Sequence, residues 1–368
     1  MLKAAIISLG SESSKMTAEA MKEYFDEVDM INIREIEITL GADGVDSQIS
    51  YQGKPFPQYD CAYIKGSFNY GIVASALTSH LSQNTYVPIH EDAFTTVHDK
   101  ILTHIVLEKA KIPSPKTYLS ATPKAAKAIL KSINYPVILK FPQGTQGKGV
   151  MFADSFAAAS SLLDALVSLK QPFLIQEYVE TGGTDTRAIV VGDKVVAVMN
   201  RKAQGDEKRS NIHAGGTGEA VVLDPKAKRI AIQTAKALKC DICGVDLLQG
   251  PKGSLVIEAN ISPGLQGIMK ATNINVPQKI AQHLYEQTVK FKEKQQEKNG
   301  ISADELLTEL SQESNESEEV SSQQLIMGID YRGSRVLLPE VVSKLAKFED
   351  GQDVVFEVKR REITIKKV

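Results

Sequence analysis

Three cysteines in 368 residues are too few, and odd in number, for a disulfide framework, so a buried apolar core must hold the chain together. Long hydrophobic runs are lacking too. No stretch approaches the roughly 18 consecutive apolar residues that a membrane-spanning helix needs. The opening run, Lys3 to Leu9, is too short and too soon interrupted for a secretory signal, which sets the expectation of a cytoplasmic protein. An excess of either charge is also missing: 43 Lys and Arg stand against 45 Asp and Glu, a net charge of -2. That balance excludes wholesale polyanion binding while leaving room for a local basic patch. The six histidines, His80, His90, His98, His104, His213 and His283, show no metal-ligand spacing. Cys240-Asp241-Ile242-Cys243 has neither a second pair nor a following helix, so packing is the better reading than zinc or redox chemistry.

What is present suffices for folding. Hydrophobic residues make up 42% and charged residues 24% of the chain, close to soluble globular averages. At about 150 residues per domain, the length predicts two or three domains. Lys3 to Leu9 reads as a buried parallel strand, followed by a helix over Thr17–Phe25 and strands over Asp29–Ile33 and Asp60–Ile64. A short strand is expected at Val87-Pro88-Ile89. This alternation predicts an open α/β unit over residues 1–95. A second unit, 96–290, mixes helices (Asp99–Ala110, Phe156–Leu169, Lys226–Leu238) with strands that include hairpins. Residues 291–324 read as a flexible polar and acidic linker. Its Ser311 to Gln324 stretch holds four Glu, five Ser, three Gln, one Asn and a single Val, too little apolar surface to offset the entropy of ordering. Short strands and a helical turn at Val341–Lys347 then predict a small β module over 325–368, too small to bury much alone and so expected to dimerise.

Four constellations carry chemistry. Lys140 ends an apolar strand and runs into a glycine loop, Gln143-Gly144-Thr145-Gln146-Gly147-Lys148-Gly149. Backbone N–H groups of such a loop can approach an anion closely, and an unpaired ammonium at Lys140 would be costly, so phosphate binding stands beside the plainer reading of a flexible hairpin. The spacing is not that of a Walker A loop. Asp246 lies on one strand, and Glu258 and Asn260 lie two apart on the next. A turn centred near Gly250 to Gly253 brings Asp246 close to Glu258. Three oxygen donors on one face suit a hard divalent cation such as Mg²⁺ (or Mn²⁺), against the alternative of a solvated hairpin end. Arg187 and Arg201 flank a hairpin turning near Gly192-Asp193, with Arg209-Ser210-Asn211 beyond. Converging guanidiniums read carboxylates or phosphates, unless they simply form a structural salt-bridge cluster. Gln176-Glu177-Tyr178-Val179 could offer backbone groups to an adenine edge; alone it is an ordinary strand exit.

The order of these pieces resembles the ATP-grasp ligases, and most closely their RimK-type branch, over about residues 1–290. His98-Asp99-Lys100, Ile112-Pro113-Ser114-Pro115-Lys116-Thr117, the Phe141–Val150 loop and Arg209-Ser210-Asn211-Ile212-His213-Ala214-Gly215-Gly216 carry the likeness. The resemblance implies an α/β and α+β fold: an N-terminal open α/β pre-ATP-grasp domain, then the ATP-grasp fold. It implies ATP and Mg²⁺ (or Mn²⁺), with two ions, as cofactors. Lys100, Lys140 and Lys148, with the loop glycines Gly144, Gly147 and Gly149, would contact phosphates. Gln176, Glu177, Tyr178 and Val179 would hold the adenine, and Asp185 would lie near the ribose or phosphates. Asp246, Glu258 and Asn260 would hold the metal. Arg187, Arg201, Arg209 and Asn211 would serve catalysis at an acyl phosphate. The implied activity joins a carboxylate to an amine, with glutamate or another amino acid as one partner and a small molecule or protein C-terminus as acceptor. One departure is Lys65-Gly66-Ser67, where an arginine is expected in relatives.

The C-terminal stretch Gly328–Glu340 and Glu349–Val354 resembles the AbrB-type swapped-hairpin domain, a small β domain that implies a homo-oligomer, at least a dimer. DNA is a second implied partner, and a nucleotide-sensing DNA-binding regulator is the alternative function. Residues 325–368 hold nine basic and seven acidic side chains, with Lys359-Arg360-Arg361 as the one basic run, which is thin for a DNA reader. Retention of three metal ligands and the charged site residues favours the enzyme.

Overall fold

The computed structural model describes residues 1–41, 48–143, 149–202 and 217–299, together with four short strands between 330 and 367. The chain divides into two compact units, Met1–Lys290 and Phe291–Val368.

The first unit opens with a three-stranded parallel sheet in which Lys3–Ser8 lies between Glu27–Asn32 and Cys61–Lys65. Ala4, Ala5, Ile6 and Ile7 are buried, as a central parallel strand covered on both faces requires. The first helix runs over Glu12–Met21, earlier than the expected Thr17–Phe25. Its start is fixed by Ser11, whose hydroxyl accepts from the Ser14 N–H, a polar cap that the apolar pattern does not show. Val87-Pro88-Ile89 does not form a strand of its own. Instead, single bridges join Cys61 to Tyr86 and Ile89 to Cys240, because Pro88 has no N–H with which to continue a ladder. A small antiparallel sheet of Ile36–Thr39, Gln48–Tyr51 and Lys54–Pro55 went unread in the sequence.

Two antiparallel sheets follow. One runs in the order Thr117–Tyr118, Leu174–Glu177, Val137–Lys140, Val150–Ala153. The helices Pro123–Ser132 and Phe156–Ser168 supply Ala126, Leu130, Ala159, Leu163 and Leu166 to its core, around Val137 and Leu139. Strand alternation then turns Ile138 and Lys140 to the other face. The second sheet has five strands in the order Thr217–Ala220, Lys194–Lys202, Thr184–Val191, Ile242–Gly250, Gly253–Asn260. At the turn of its first hairpin, Gly192 takes φ +61°, and a Cβ there would strike the His283 imidazole. Cys61, Cys240 and Cys243 are free and buried, and burial pushes the Cys243 thiol up to about 12, which fits packing residues.

Backbone bonds tie loops and helix starts of the first unit together around the sheets. Lys100 N–H donates to the Pro142 carbonyl at 2.9 Å, Asp241 N–H to Pro88 at 2.7 Å, and Val256 N–H to Pro113 at 2.8 Å. A helix begins at Val276 and continues to Asn299, past residue 291, where the linker was expected to begin. Lysine, glutamate and glutamine there are good helix formers even without an apolar face. Residues 300–329, Val341–Lys347 and the rest of the expected C-terminal module lie outside the described residues, except for the antiparallel pairs Asp330–Arg332 with Arg335–Leu337 and Val354–Lys359 with Glu362–Lys367. Among the described residues, no helix is long and apolar enough to cross a membrane.

The Leu139 side chain is fully buried at the centre of the core beneath the Lys140 strand. Leu139→Ala is expected to lower unfolding free energy by about 2–5 kcal/mol, read as a fall in the urea midpoint. An unchanged midpoint would remove this cluster from the support of the strand.

Candidate active site

A cavity of about 630 Å³ lies where the sheets of the first unit meet. Its wall contains Lys100, Lys140, Gln176, Glu177, Tyr178, Val179, Asp185, Arg187, Arg201, Asp246, Glu258 and Asn260. The fold therefore gathers in one place what the sequence spreads over more than half of the first unit.

The strongest interactions cross three neighbouring strands of the five-stranded sheet. Asp185 opposes Arg201, Arg187 opposes Asp246, and Asp246 opposes Glu258 in the strand registers. Arg187 donates from Nε and Nη2 to the two Asp246 oxygens, both at 2.7 Å. Arg201 donates from Nε and Nη2 to Asp185, both at 2.6 Å, and its Nη2 also reaches Asp246 at 2.9 Å. Bidentate pairs of this kind fix both partners' planes. Burial alone would raise the Asp246 pKa, but the two guanidiniums outweigh it and hold the carboxyl below its usual range. Arg201, opposed by burial, is pushed above its ordinary value by Asp246 and Asp185. The salt-bridge reading of the arginines is therefore part of the site's construction. The Asp185 carboxylate, expected beside a ribose or phosphate, stands in the cavity wall with both oxygens accepting from Arg201.

Glu258 differs from its neighbour. Burial, then the Asp246 charge, raises its pKa, while Lys100, Arg187 and Lys140 pull it down by less. The Asn260 amide has its Nδ2 buried without a partner among the described residues. A carboxylate short of positive charge, with an amide two residues on along the same strand face, fits a hard divalent cation bound through carboxylate and amide oxygens and water, whereas the buried Nδ2 donor calls for an acceptor. Among the described residues, no group of three or more His, Cys, Asp or Glu forms a metal cage. A cation here would have to share its shell with the amide and with a bound substrate.

The opposite wall is cationic. Lys140 donates to the Gln176 Oε1 at 2.6 Å, and burial, with Lys100 adding to it and Glu258 opposing, pushes its pKa down to about 8. Gln176 in turn donates to the Thr117 hydroxyl at 2.9 Å and meets His104 Nε2 at 3.1 Å. His104 is held neutral, its pKa driven to about 4 by burial and by the charges of Lys140 and Lys100. Gln176, expected to lie among the adenine contacts, is thus the bracket that aims Lys140, and His104 and Thr117 are supports that the sequence did not reveal. Glu177 accepts from the Tyr118 hydroxyl at 2.7 Å. Lys100 begins its helix directly after the Asp99 cap, whose Oδ1 accepts from Ile101 and Leu102 N–H. Gly149, at φ +78°, closes the glycine loop against Phe141: a Cβ there would collide with the ring. Gly144, Gly147, Lys148, Arg209 and Asn211 lie outside the described residues.

This geometry meets the known proteins at one point. The model of the RimK-like ATP-grasp domain matches residues 97–284. A Marinomonas sp. (strain MWYL1) protein named "Probable alpha-L-glutamate ligase" is 34% identical over 288 residues, covering 77% of this chain and 95% of that one. The chain belongs to the RimK-like ATP-grasp family. A Legionella pneumophila (strain Corby) protein of the same name is 35% identical over 235 residues, 63% of this chain and 78% of that one. Two solved structures share the fold. The RimK domain ATP-grasp protein of Sphaerobacter thermophilus DSM 20745 superposes with a TM-score of 0.60 at 19% identity, covering 76% of this chain and 98% of that one. The ATP-grasp ligase PsnB, complexed with minimal precursor, Mg and ADP, gives 0.61 at 17%, covering 78% and 97%. This RimK-like chain is an ATP-dependent carboxylate–amine ligase.

Two outcomes follow from the charges. Asp185→Ala leaves a buried guanidinium half-paired and is expected to cost about 3 kcal/mol of stability, the low end for breaking a buried pair because Asp246 remains. In a double-mutant cycle by urea unfolding, Arg201→Met should recover much of that loss; additive losses would contradict the pairing. Glu258→Gln is expected to raise the urea midpoint of the ligand-free protein at pH 7. A raised folded pKa means that ionised Glu258 is a penalty above that pKa. The penalty disappears as pH falls toward the unfolded value near 4.5, so the gap between variant and wild type should close in acid.

Proposed function

We propose that this ligase adds glutamate or another amino acid to a carboxylate acceptor, through an acyl phosphate formed from ATP. The observation that carries the reading is the placing, within one cavity, of the Lys100 and Lys140 ammonium groups near the Glu258 carboxylate, close enough for both lysines to pull the Glu258 pKa down and for Glu258 to pull that of Lys140 up. Such a pairing separates a phosphate-facing wall from a cation-facing wall. The relatives' name supports glutamate as a substrate, and the PsnB complex supports Mg²⁺, a nucleotide and a peptide acceptor.

In this reading Lys140, aimed by Gln176, and Lys100 hold the nucleotide phosphates, with Gly144, Gly147, Lys148 and Gly149 covering them. Glu177, Tyr178 and Val179 line the adenine end. Glu258 and Asn260 would hold Mg²⁺, with Asp246 as a third ligand where it can share the oxygens that accept from Arg187 and Arg201, and the ion, when bound, offsets the negative charge that gathers on the transferring oxygens. Arg187, held by Asp246 at the cavity wall, presents its guanidinium to the acyl phosphate and to the oxyanion formed on amine attack. Arg201 is buried behind it and acts by fixing Asp246. Arg209 and Asn211 complete the proposed catalytic set. Closure over the acyl phosphate keeps it from water. The proposed domain division is 1–95, 96–290, 291–324 and 325–368, the last an AbrB-like module that pairs two chains.

The test is purified full chain with ATP, Mg²⁺, L-glutamate and a cell extract as acceptor source, read by mass spectrometry and ADP release. Expected are products carrying added glutamyl residues, and ADP release that requires both amine and acceptor. ADP release indifferent to both would contradict the ligase reading of this cavity.

A further inference from the structure

His104 is a histidine that the sequence leaves without a role. In the structure it stands on the helix Lys100–Lys109, one turn after Lys100, so the two side chains share a helix face. It is 8% exposed, and the Gln176 side chain that meets it is 2% exposed. In so dry a place each hydrogen bond of the pair must find a donor and an acceptor, and that requirement assigns the protons.

The assignment starts at Lys140, whose ammonium can only donate. Gln176 Oε1 accepts from it at 2.6 Å, which turns the carbonyl end of the amide toward the lysine and the NH2 end away. One of the two amide N–H groups goes to the Thr117 hydroxyl at 2.9 Å. That hydroxyl donates its own proton to the Pro115 carbonyl, also at 2.9 Å, so toward Gln176 it can only accept. The second amide N–H faces His104 Nε2 at 3.1 Å. Nε2 must therefore accept, and the ring proton belongs on Nδ1, which is buried without a partner among the described residues. The opposite tautomer, or a protonated ring, would set N–H against N–H. Turning the amide over to relieve that clash would aim its NH2 at the Lys140 ammonium. Burial and the charges of Lys140 and Lys100, which push the His104 pKa down to about 4, keep the ring in the neutral state this arrangement needs.

The far end of the relay is tied to both walls of the cavity. Pro115 lies in the segment 112–117. In the same segment the Pro113 carbonyl accepts at 2.8 Å from Val256 N–H, on the strand that carries Glu258 and Asn260. The Lys116 carbonyl accepts from Glu177 N–H at 3.0 Å. The Lys140 ammonium is thus referenced, through Gln176 and Thr117, to the backbone that also holds the Glu258 strand.

We propose that His104 is a positioning residue for the nucleotide half of the reaction: its Nδ1–H tautomer holds the Gln176 amide with the oxygen toward Lys140, and so fixes the ammonium that meets the phosphates. The proposal rests on the ligase reading above for the identity of the nucleotide. His104 does not itself line the cavity, so it acts through the amide and not on a substrate.

Three full-length proteins test this: wild type, His104→Leu, which fills the space but cannot accept, and His104→Gln, whose side-chain oxygen can. Proton–nitrogen correlation spectra of the imidazole rings at neutral pH should show the His104 ring, identified by the signal missing from His104→Gln, with a protonated Nδ1 and a bare Nε2. Calorimetric titration with ADP and Mg²⁺ should give a Kd about tenfold weaker in His104→Leu, the difference one hydrogen bond makes, and within about threefold of wild type in His104→Gln. In turnover, KM for ATP should rise in His104→Leu while KM for L-glutamate stays at the wild-type value. The proposal is overturned by a proton on Nε2, by wild-type ADP affinity in His104→Leu, by His104→Gln binding as weakly as His104→Leu, or by an equal rise in both KM values. Should His104→Leu fail to fold, the wild-type spectrum decides alone. Absence of amide product alongside a His104-dependent ADP affinity would instead reject the ligase reading and leave this assignment standing.

Discussion

The structure depends on one lattice of buried charge: Asp185, Arg201, Asp246 and Arg187, linked edge to edge across three strands by hydrogen bonds of 2.6 to 2.9 Å. Isolated, each of these groups would be costly in a sheet this apolar. Together they consume one another's charge and leave two groups at the lattice edge out of balance. Arg187 faces the cavity with its guanidinium oriented, and Glu258 is left facing the cavity with too little positive charge around it. The site's reactivity is the imbalance left over from its own scaffolding.

The second wall follows the same logic with neutral supports. Lys140 is positioned by an amide, not a carboxylate, and that amide is locked by His104 and Thr117. A carboxylate there would satisfy the lysine and leave nothing for a phosphate. The amide orients the ammonium without cancelling its charge. Lys65 stands elsewhere in the cavity wall, with the Tyr63 ring 5.5 Å from its ammonium, so Arg187, Lys140 and Lys65 differ in how much of their charge is already used.

Much of this was legible in the sequence because antiparallel hairpins obey arithmetic. The Gly250–Gly253 turn was enough to bring Asp246 within one residue of Glu258, a bulge between Asp246 and Leu247 setting the two opposite each other, and the Gly192-Asp193 turn to bring Arg187 and Arg201 to one end. What could not be read was which charge each charge would meet. The partnership of Arg187 with Asp246 depends on two strands more than 50 residues apart in sequence pairing directly, and on a register that no local pattern encodes. The pairing of Asp185 with Arg201 depends on a bulge between Ile189 and Val190, so it too could not be counted from the turn. The small sheet of Ile36–Thr39, Gln48–Tyr51 and Lys54–Pro55 was missed because its strands are short and half exposed, so neither period nor apolar run announces them. The helix through Asn299 outlasted the compositional change at residue 291 because helix propensity does not require an apolar face.

The central claim is that one cavity sets a cation-facing carboxylate against phosphate-facing lysines. Calorimetric titration of ADP, with and without Mg²⁺, into wild type, Glu258→Gln and Lys140→Met tests it most directly. The account predicts metal-enhanced ADP affinity in the wild type, loss of the metal dependence in Glu258→Gln, and weakened binding with or without metal in Lys140→Met. Equal affinity and equal metal dependence in all three proteins would contradict it.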